Sequence, residues 1–301
     1  MNIYKKVFQN KDVGKILYDE PMKNHTTFKI GGKCDAMILP ESEEQIINAL
    51  RIIKENNLSY RIIGNGSNLL VSDDGLREVI IKLHDNFSEV SIKDDVMTAQ
   101  SGALLSCVSK TAIKNSYKGF EPVSGIPGDV GGAITMNAGA YGTEIKELVK
   151  RVKVIDNDLN VKYLDCEQMD FSYRHSRVQD EKLVVLASEF MLVKGDKEEI
   201  LHNYNDFTER RTSKQPLELP SCGSVFKRPE GHYAGQLIDE AGLRGYRYND
   251  AMVSEKHCGF IVNVGNSSCD DVVKVIEHVQ KTVFEKFGVK LEPEVRIIGG
   301  K

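Results

Sequence analysis

Residues 124–142 read SGIPGDVGGAITMNAGAYG, with glycine at 125, 128, 131, 132, 139 and 142. Each glycine loses conformational freedom on folding, so this density in one segment needs a reason. A flexible linker is one reading, but linkers are usually polar and serine-rich, whereas this stretch carries Ile126, Val130, Ile134 and Met136. The other reading is a turn whose bare NH groups approach an anion and lead into a helix start, where the helix dipole also favours negative charge.

The rest of the chain sets bounds on both readings. At 301 residues it is long for one core, and two or three domains are expected. Hydrophobic residues make up 41% and charged residues 28%, a composition typical of folded soluble proteins. No apolar run approaches the roughly 18 residues that span a bilayer. The start, MNIYKKVFQNKD, has no apolar signal-peptide core, so a cytosolic protein without membrane insertion is expected. Cysteines 34, 107, 166, 222, 258 and 269 form no C-x-x-C pair and have no histidines at metal-ligand spacing. They are expected to be reduced thiols, with no metal site. A formal charge of −4 and a pI near 6.0 argue against a protein devoted to nucleic acid. A small anionic ligand would need a local basic patch.

Periodicity organises the chain. Residues 41–57 predict a helix with Ile46, Ile47, Leu50 and Ile53 on one face and a capping box of Ser42 and Gln45. Short strands follow at 59–63 and 77–83, with the turn GNGSN (64–68) between them. From Phe87 onward a hairpin of 89–92 and 96–100, a helix at 103–116 and strands at 151–155, 160–164 and 183–193 predict a second mixed unit. A helix at 196–213 leads into a third, with a strand at 223–227, a helix at 233–242 and strands around 251–264. Residues 267–288 predict the strongest helix, striped by Val272, Val275, Ile276, Val279, Val283 and Phe287 and ended by Gly288. EPEVRII (292–298) reads as a final strand.

Chemistry has several candidate seats. GNGSN and SGIPGDVGG (124–132) lie in different predicted units, and neither is the G-x-G-x-x-G dinucleotide fingerprint. They are either two ordinary tight turns or a joint diphosphate cradle in which Ser67, Asn68 and Ser124 add side-chain donors. NHTTFKIGG (24–32) is a third polar, glycine-bearing turn. In SYRHSR (172–177), Arg174 is a surface arginine or a bidentate fork for a carboxylate. ERRTSKQPLELPSCGSVFKRP (209–229) gathers Arg210, Arg211, Lys214, Lys227 and Arg228 in an acidic protein. A helix dipole accounts for Arg210 and Arg211 but not for the charges around Ser224. That serine either satisfies a neighbour or turns its hydroxyl to a pocket. Strand alternation would put Val295 and Ile297 on one face and Glu294 and Arg296 on the other, making Glu294 a solvated carboxylate or a proton donor facing a pocket.

NHTTFKIGG, IGNGSNLLV (63–71), SGIPGDVGGAITMNAGAYG, YRHSR (173–177), SCGSVFKRP (221–229) and LEPEVRIIG (291–299) occur in the order found in the UDP-N-acetylenolpyruvoylglucosamine reductase family. The chain resembles that family over essentially its whole length. It is similar to the shorter form, because the interval from Arg174 to Ser224 is too short for the extra tyrosine loop of some members. The resemblance implies an α+β fold: a two-domain FAD-binding module of the vanillyl-alcohol-oxidase type, then a C-terminal α/β substrate-binding domain. The expected parts are 1–84 and 85–200 for FAD and 201–301 for substrate, with the final strand 291–301 packing back towards the flavin.

It further implies an enzyme that reduces the enolpyruvyl ether of UDP-N-acetylglucosamine to UDP-N-acetylmuramate for peptidoglycan, with FAD as cofactor and NADPH as reductant. The residues matching the family's cofactor motifs are Thr27, Gly64, Asn65, Gly66, Ser67, Asn68, Ser124, Gly125, Ile126, Pro127, Gly128, Gly131, Gly132, Ala138, Gly139, Ala140 and Tyr141. Tyr173, Lys214, Lys227 and Arg228 would meet the substrate, the last three through its phosphates. Arg174 and a protonated Glu294 would hold the enolate formed by hydride addition, and Ser224 would protonate it, aided by a neighbour such as Lys227. A monomer is expected. The competing readings are an FAD-dependent oxidase of a small alcohol or hydroxy acid, which would be reoxidised by oxygen, and a nucleotide-binding protein without catalysis.

Overall fold

The structure, a computed structural model, describes residues 3–300. The chain forms two units. The first holds the residues up to Tyr18, Ala36–Asn65 and Glu78–Arg211; the second holds Asp19–Asp35, Gly66–Arg77 and the chain from Thr212 onward. The finer division at 84/85 and 200/201 stands as a proposal. Two strands missed by periodicity, Lys15–Pro21 and Lys33–Leu39, join Leu76–Lys82 and Tyr60–Ile63 in a four-stranded sheet, in that order.

In the first unit, the helix expected at 41–57 forms over Glu43–Glu55. Ser42 Oγ accepts from the Gln45 NH, while the Gln45 side chain reaches back to the Glu41 NH, one residue beyond the usual capping box. The helix buries Ile46, Ala49, Leu50 and Ile53. The antiparallel sheet of this unit runs in the order Val161–Asp165, Val149–Ile155, Val184–Met191, Val96–Gln100 and Val90–Lys93. Val152, Val154, Phe190 and Met97 from the sheet pack with Val108 and Ala112 of the helix Leu105–Lys114 and with Val130 and Ile134 of the glycine-rich segment. Burial of such side chains stabilises by roughly 1.5–3 kcal/mol each. The glycine-rich segment is therefore core, not linker.

The second unit is built on an antiparallel sheet in the order Ser221–Ser224, Phe260–Asn263, Ala251–Val253 and Arg247–Tyr248. The helix Cys269–Phe287 covers it with Val272, Val275, Ile276, Val279 and Val283, while Phe287, the last helical residue, stays 38% exposed. Ser268 and Asp271 form a reciprocal capping box, and Gly288 closes the helix at φ +69°. The sequence YND (248–250) serves this helix start: the Asn249 side chain donates to Asp271, and Asp250 accepts from the Asn266 NH. NHTTFKIGG is not a surface turn only, because Phe28 and Ile30 enter this core. The final strand is shorter than expected. Only Arg296–Ile298 is strand, parallel to Leu69–Val71. No helix of the described residues is long and apolar enough to cross a membrane.

Candidate active site

Gly64 and Asn65, the start of the first glycine turn, meet the second glycine turn within the first unit. The Asn65 side chain donates to the Pro127 carbonyl at 2.6 Å, and Gly64 lies so close to the Asp129 carboxylate that a Cβ there would sit 2.4 Å from Oδ2. Glycine is required at 64 by that approach. The helix that follows is only six residues, Val130–Thr135. Its start does not act as the sequence suggested, because the NH groups of Val130 and Gly131 already donate to the carbonyls of Ala103 and Ser101. Those of Gly125, Gly128 and Gly132 have no partner among the described residues, and a Cβ at Gly132 would meet nothing within 4 Å. Bare NH groups beside open backbone are the donor set that a diphosphate needs.

Ser124 has an internal partner. Its hydroxyl donates to the Glu121 carbonyl at 2.7 Å, so its one hydrogen is already committed. Thr27, in the second unit, likewise donates to the Ser221 carbonyl at 2.7 Å and so tethers the strand that carries Ser224. Ala138 accepts from the Ile145 NH. Gly139–Ala140 pairs with Thr143–Glu144 across a turn whose central residues, Tyr141 and Gly142, both have positive φ, as in tight hairpins. The Tyr141 ring packs on Phe207 at 4.9 Å.

Arg211 extends this wall. Its Cδ lies 2.6 Å from where a Gly125 Cβ would be, and burial works against its charge. The sequence reading credited it to a helix dipole. Its neighbour Arg210 does have an ordinary explanation, an ion pair with Asp206 one turn away.

Arg174 sits in a two-residue turn, where Ser172 and His175 exchange backbone hydrogen bonds. Its φ is +57°, at a turn position usually taken by glycine or asparagine. Such a conformation costs about 1 kcal/mol or more and persists only where the surroundings fix it. They do so here. Buried Asn137 donates to the Ser172 carbonyl at 3.0 Å and to Glu144 at 2.9 Å. Ser176 and Gln179 both donate to the Thr135 carbonyl, and Gln179 also to Arg174 O. The arginine loop is thus anchored to the glycine-rich helix. The guanidinium lies over the exposed Tyr173 ring at 4.9 Å. Glu144 is partly desolvated, which raises its pKa, but Lys146, Asn137 and Arg174 outweigh this and hold it below the usual range.

In the second unit the structure brings Ser224 and Glu294 to one place. Ser221 faces Val262 and Ser224 faces Phe260, so the serine strand carries an extra residue, a β-bulge with Gly223 at φ +79°. Bulges re-aim side chains, and Ser224 is left exposed. The next residue, Val225, accepts from the NH of Glu294 at 2.7 Å, and Asn68 donates to the Glu294 carbonyl at 3.2 Å. Alternation does not hold around half-buried Glu294: the chain bends at Val295, so Val295 is buried while Ile297 is 45% exposed. Lys227, read as a charge without a bland role, pairs with Glu292 at 3.2 Å. Arg228 stacks on Tyr233 at 4.1 Å, and Lys214 is exposed at the end of its helix.

Sequence reasoning missed His257. A Cβ on Gly259 would lie 3.0 Å from His257 Cε1 and 3.1 Å from Ser224 Oγ, so glycine leaves the hydroxyl and the imidazole facing one another. Burial pushes the ring's pKa down, and Nδ1 accepts the Gly259 NH. No spacing in the sequence signals a neighbour 33 positions away.

Comparison with known proteins fixes the family. Residues 34–162 match the FAD binding domain model, and 215–298 match the C-terminal domain of UDP-N-acetylenolpyruvoylglucosamine reductase. The UDP-N-acetylenolpyruvoylglucosamine reductase of Alkaliphilus oremlandii is 52% identical over 94% of this chain and 93% of its own length. The chain belongs to the UDP-N-acetylenolpyruvoylglucosamine reductase family. The Clostridioides difficile reductase is 50% identical over the same shares. The crystal structure of the Thermus caldophilus reductase, 32% identical, superposes with a TM-score of 0.81 over 94% of this chain and 98% of that one. The chain is thus an FAD-dependent oxidoreductase, with a flavin-binding module followed by the family's C-terminal domain. The NH groups of the glycine-rich segment fit FAD's diphosphate.

Proposed function

We propose that the chain reduces the enolpyruvyl ether of UDP-N-acetylglucosamine to UDP-N-acetylmuramate with NADPH, in the cytoplasm, as a monomer supplying peptidoglycan synthesis and so cell shape and division. The observation that supports this most is the bond from the Glu294 NH to Val225 O, which brings Glu294 up to the residue that follows the serine presented by the bulge. The chemistry that bound FAD supplies is two-electron transfer: hydride in from NADPH, hydride out to the terminal vinyl carbon.

Hydride addition leaves negative charge on the ether-bearing carbon, delocalised into the adjacent carboxylate. Arg174 would grip that carboxylate with two parallel NH donors, and Glu294 in its acid form would donate to it. Donors fixed at developing charge are worth about 3–4 kcal/mol each. Ser224 would transfer its hydroxyl proton to the carbanion and recover one from solvent, to which it is open. Lys214, Lys227, Arg228 and Tyr173 would hold the nucleotide end. The proposed flavin contacts are Gly64, Asn65, Gly125, Ile126, Pro127, Gly128, Gly131, Gly132, Ala138, Gly139, Ala140 and Tyr141 of the first unit and Thr27, Gly66, Ser67 and Asn68 of the second. Ser124 would contribute its backbone only.

The test is substrate dependence. Purified protein should be yellow and should consume NADPH only when the enolpyruvyl UDP-sugar is added. Consumption that ignores the sugar, or flavin-loaded protein that consumes none with it, would refute the assignment.

A further inference from the structure

The cradle contains a paradox. A segment suited to an anionic diphosphate carries a buried carboxylate, Asp129, whose side chain is 1% exposed. It occupies the position before the helix without capping it. Instead both of its oxygens lie 3.1 Å from His84 Nδ1, Gly64 packs against it, and the Asn65 backbone donates to it. An uncompensated carboxylate there would repel the cofactor and bear a large desolvation cost.

We propose that His84 is a positioning residue for FAD: its imidazolium neutralises Asp129, so that turn 64–65 stays pinned to 127–129 and the diphosphate meets a neutral base rather than a negative one. The proposal rests on FAD binding by this segment. The charged groups facing the imidazole are Asp129 across from it, Asp85 at 3.5 Å from Nε2, and Lys82 at the end of the preceding strand. The Asp129 hydrogen bond raises the His84 pKa, over an opposing effect of burial and Lys82. Burial pushes the Asp129 pKa up, and His84, Asn65 and Lys82 work against that. The sign follows: with the folded pKa of His84 raised, the pair is fully charged below the ordinary imidazole range and is lost as pH rises through the raised value.

FAD affinity of the holoenzyme, read from the fluorescence of released flavin between about pH 6 and pH 9, should therefore weaken with rising pH by roughly 10- to 30-fold, the effect of one added negative charge at short range. His84→Gln should bind at the weak level with a flat profile. Asp129→Asn should bind at the tight level, also flat. A merely structural contact would shift affinity by a constant factor and leave the slope in both variants, which would overturn the proposal. So would a flat wild-type profile, even if neither variant folds. Wild-type protein that holds no flavin at any pH would sink the cofactor reading and this proposal with it.

Discussion

Ser224→Ala should leave reduction of the flavin by NADPH at the wild-type rate while slowing its reoxidation by the enolpyruvyl UDP-sugar by roughly 10²- to 10⁴-fold, the usual worth of a positioned proton donor. The asymmetry comes from where the proton is needed: only the second half-reaction builds a carbanion. The change should hardly touch stability, because Ser224 is exposed and its strand is fixed by Val225 and Gly223. Stopped-flow absorbance separates the two halves. Equal loss in both would show that the alanine disturbs flavin binding, and would remove the hydroxyl from its role.

Arg174 offers the other large effect. Arg174→Gly removes the fork and should lower turnover by about 3–4 kcal/mol, two to three orders of magnitude. It also removes side-chain strain at φ +57°, an effect worth about 1 kcal/mol or more in favour of glycine at such angles. Melting temperature should hold or rise as activity falls. That opposition marks a residue kept for chemistry at the expense of the fold. Arg174→Lys, which keeps the charge but not the paired donors, should stay well below wild type. If Arg174→Gly lost stability and activity together, the guanidinium would be a structural brace through Tyr173 and Glu144.

The contrast between what the sequence disclosed and what it hid has a physical basis. The helices Glu43–Glu55 and Cys269–Phe287 were legible because each buries one continuous stripe, with capping residues that mark its ends. Lys33–Leu39 was not, since Ala36, Met37 and Ile38 are all buried and no alternation survives. The strand end at Glu294 misled because a bend at Val295 breaks the period-two rule. The motifs announced Arg174, Ser224 and the glycine turns, but not the supports beneath them. Thr27 reaches Ser221 across 194 positions and His84 reaches Asp129 across 45. Such pairs have no period, and only the folded chain assembles them. Ser124 and Lys227 likewise gave no sequence sign of their internal partners, Glu121 and Glu292.

The most direct trial of the account is a single turnover without oxygen. Holoenzyme bleached by one equivalent of NADPH and then mixed with the enolpyruvyl UDP-sugar should regain its oxidised flavin absorbance at once, one flavin per sugar reduced. Protein that stays bleached until air is admitted would be an oxidase, and the roles given to Arg174, Ser224 and Glu294 would fall with it.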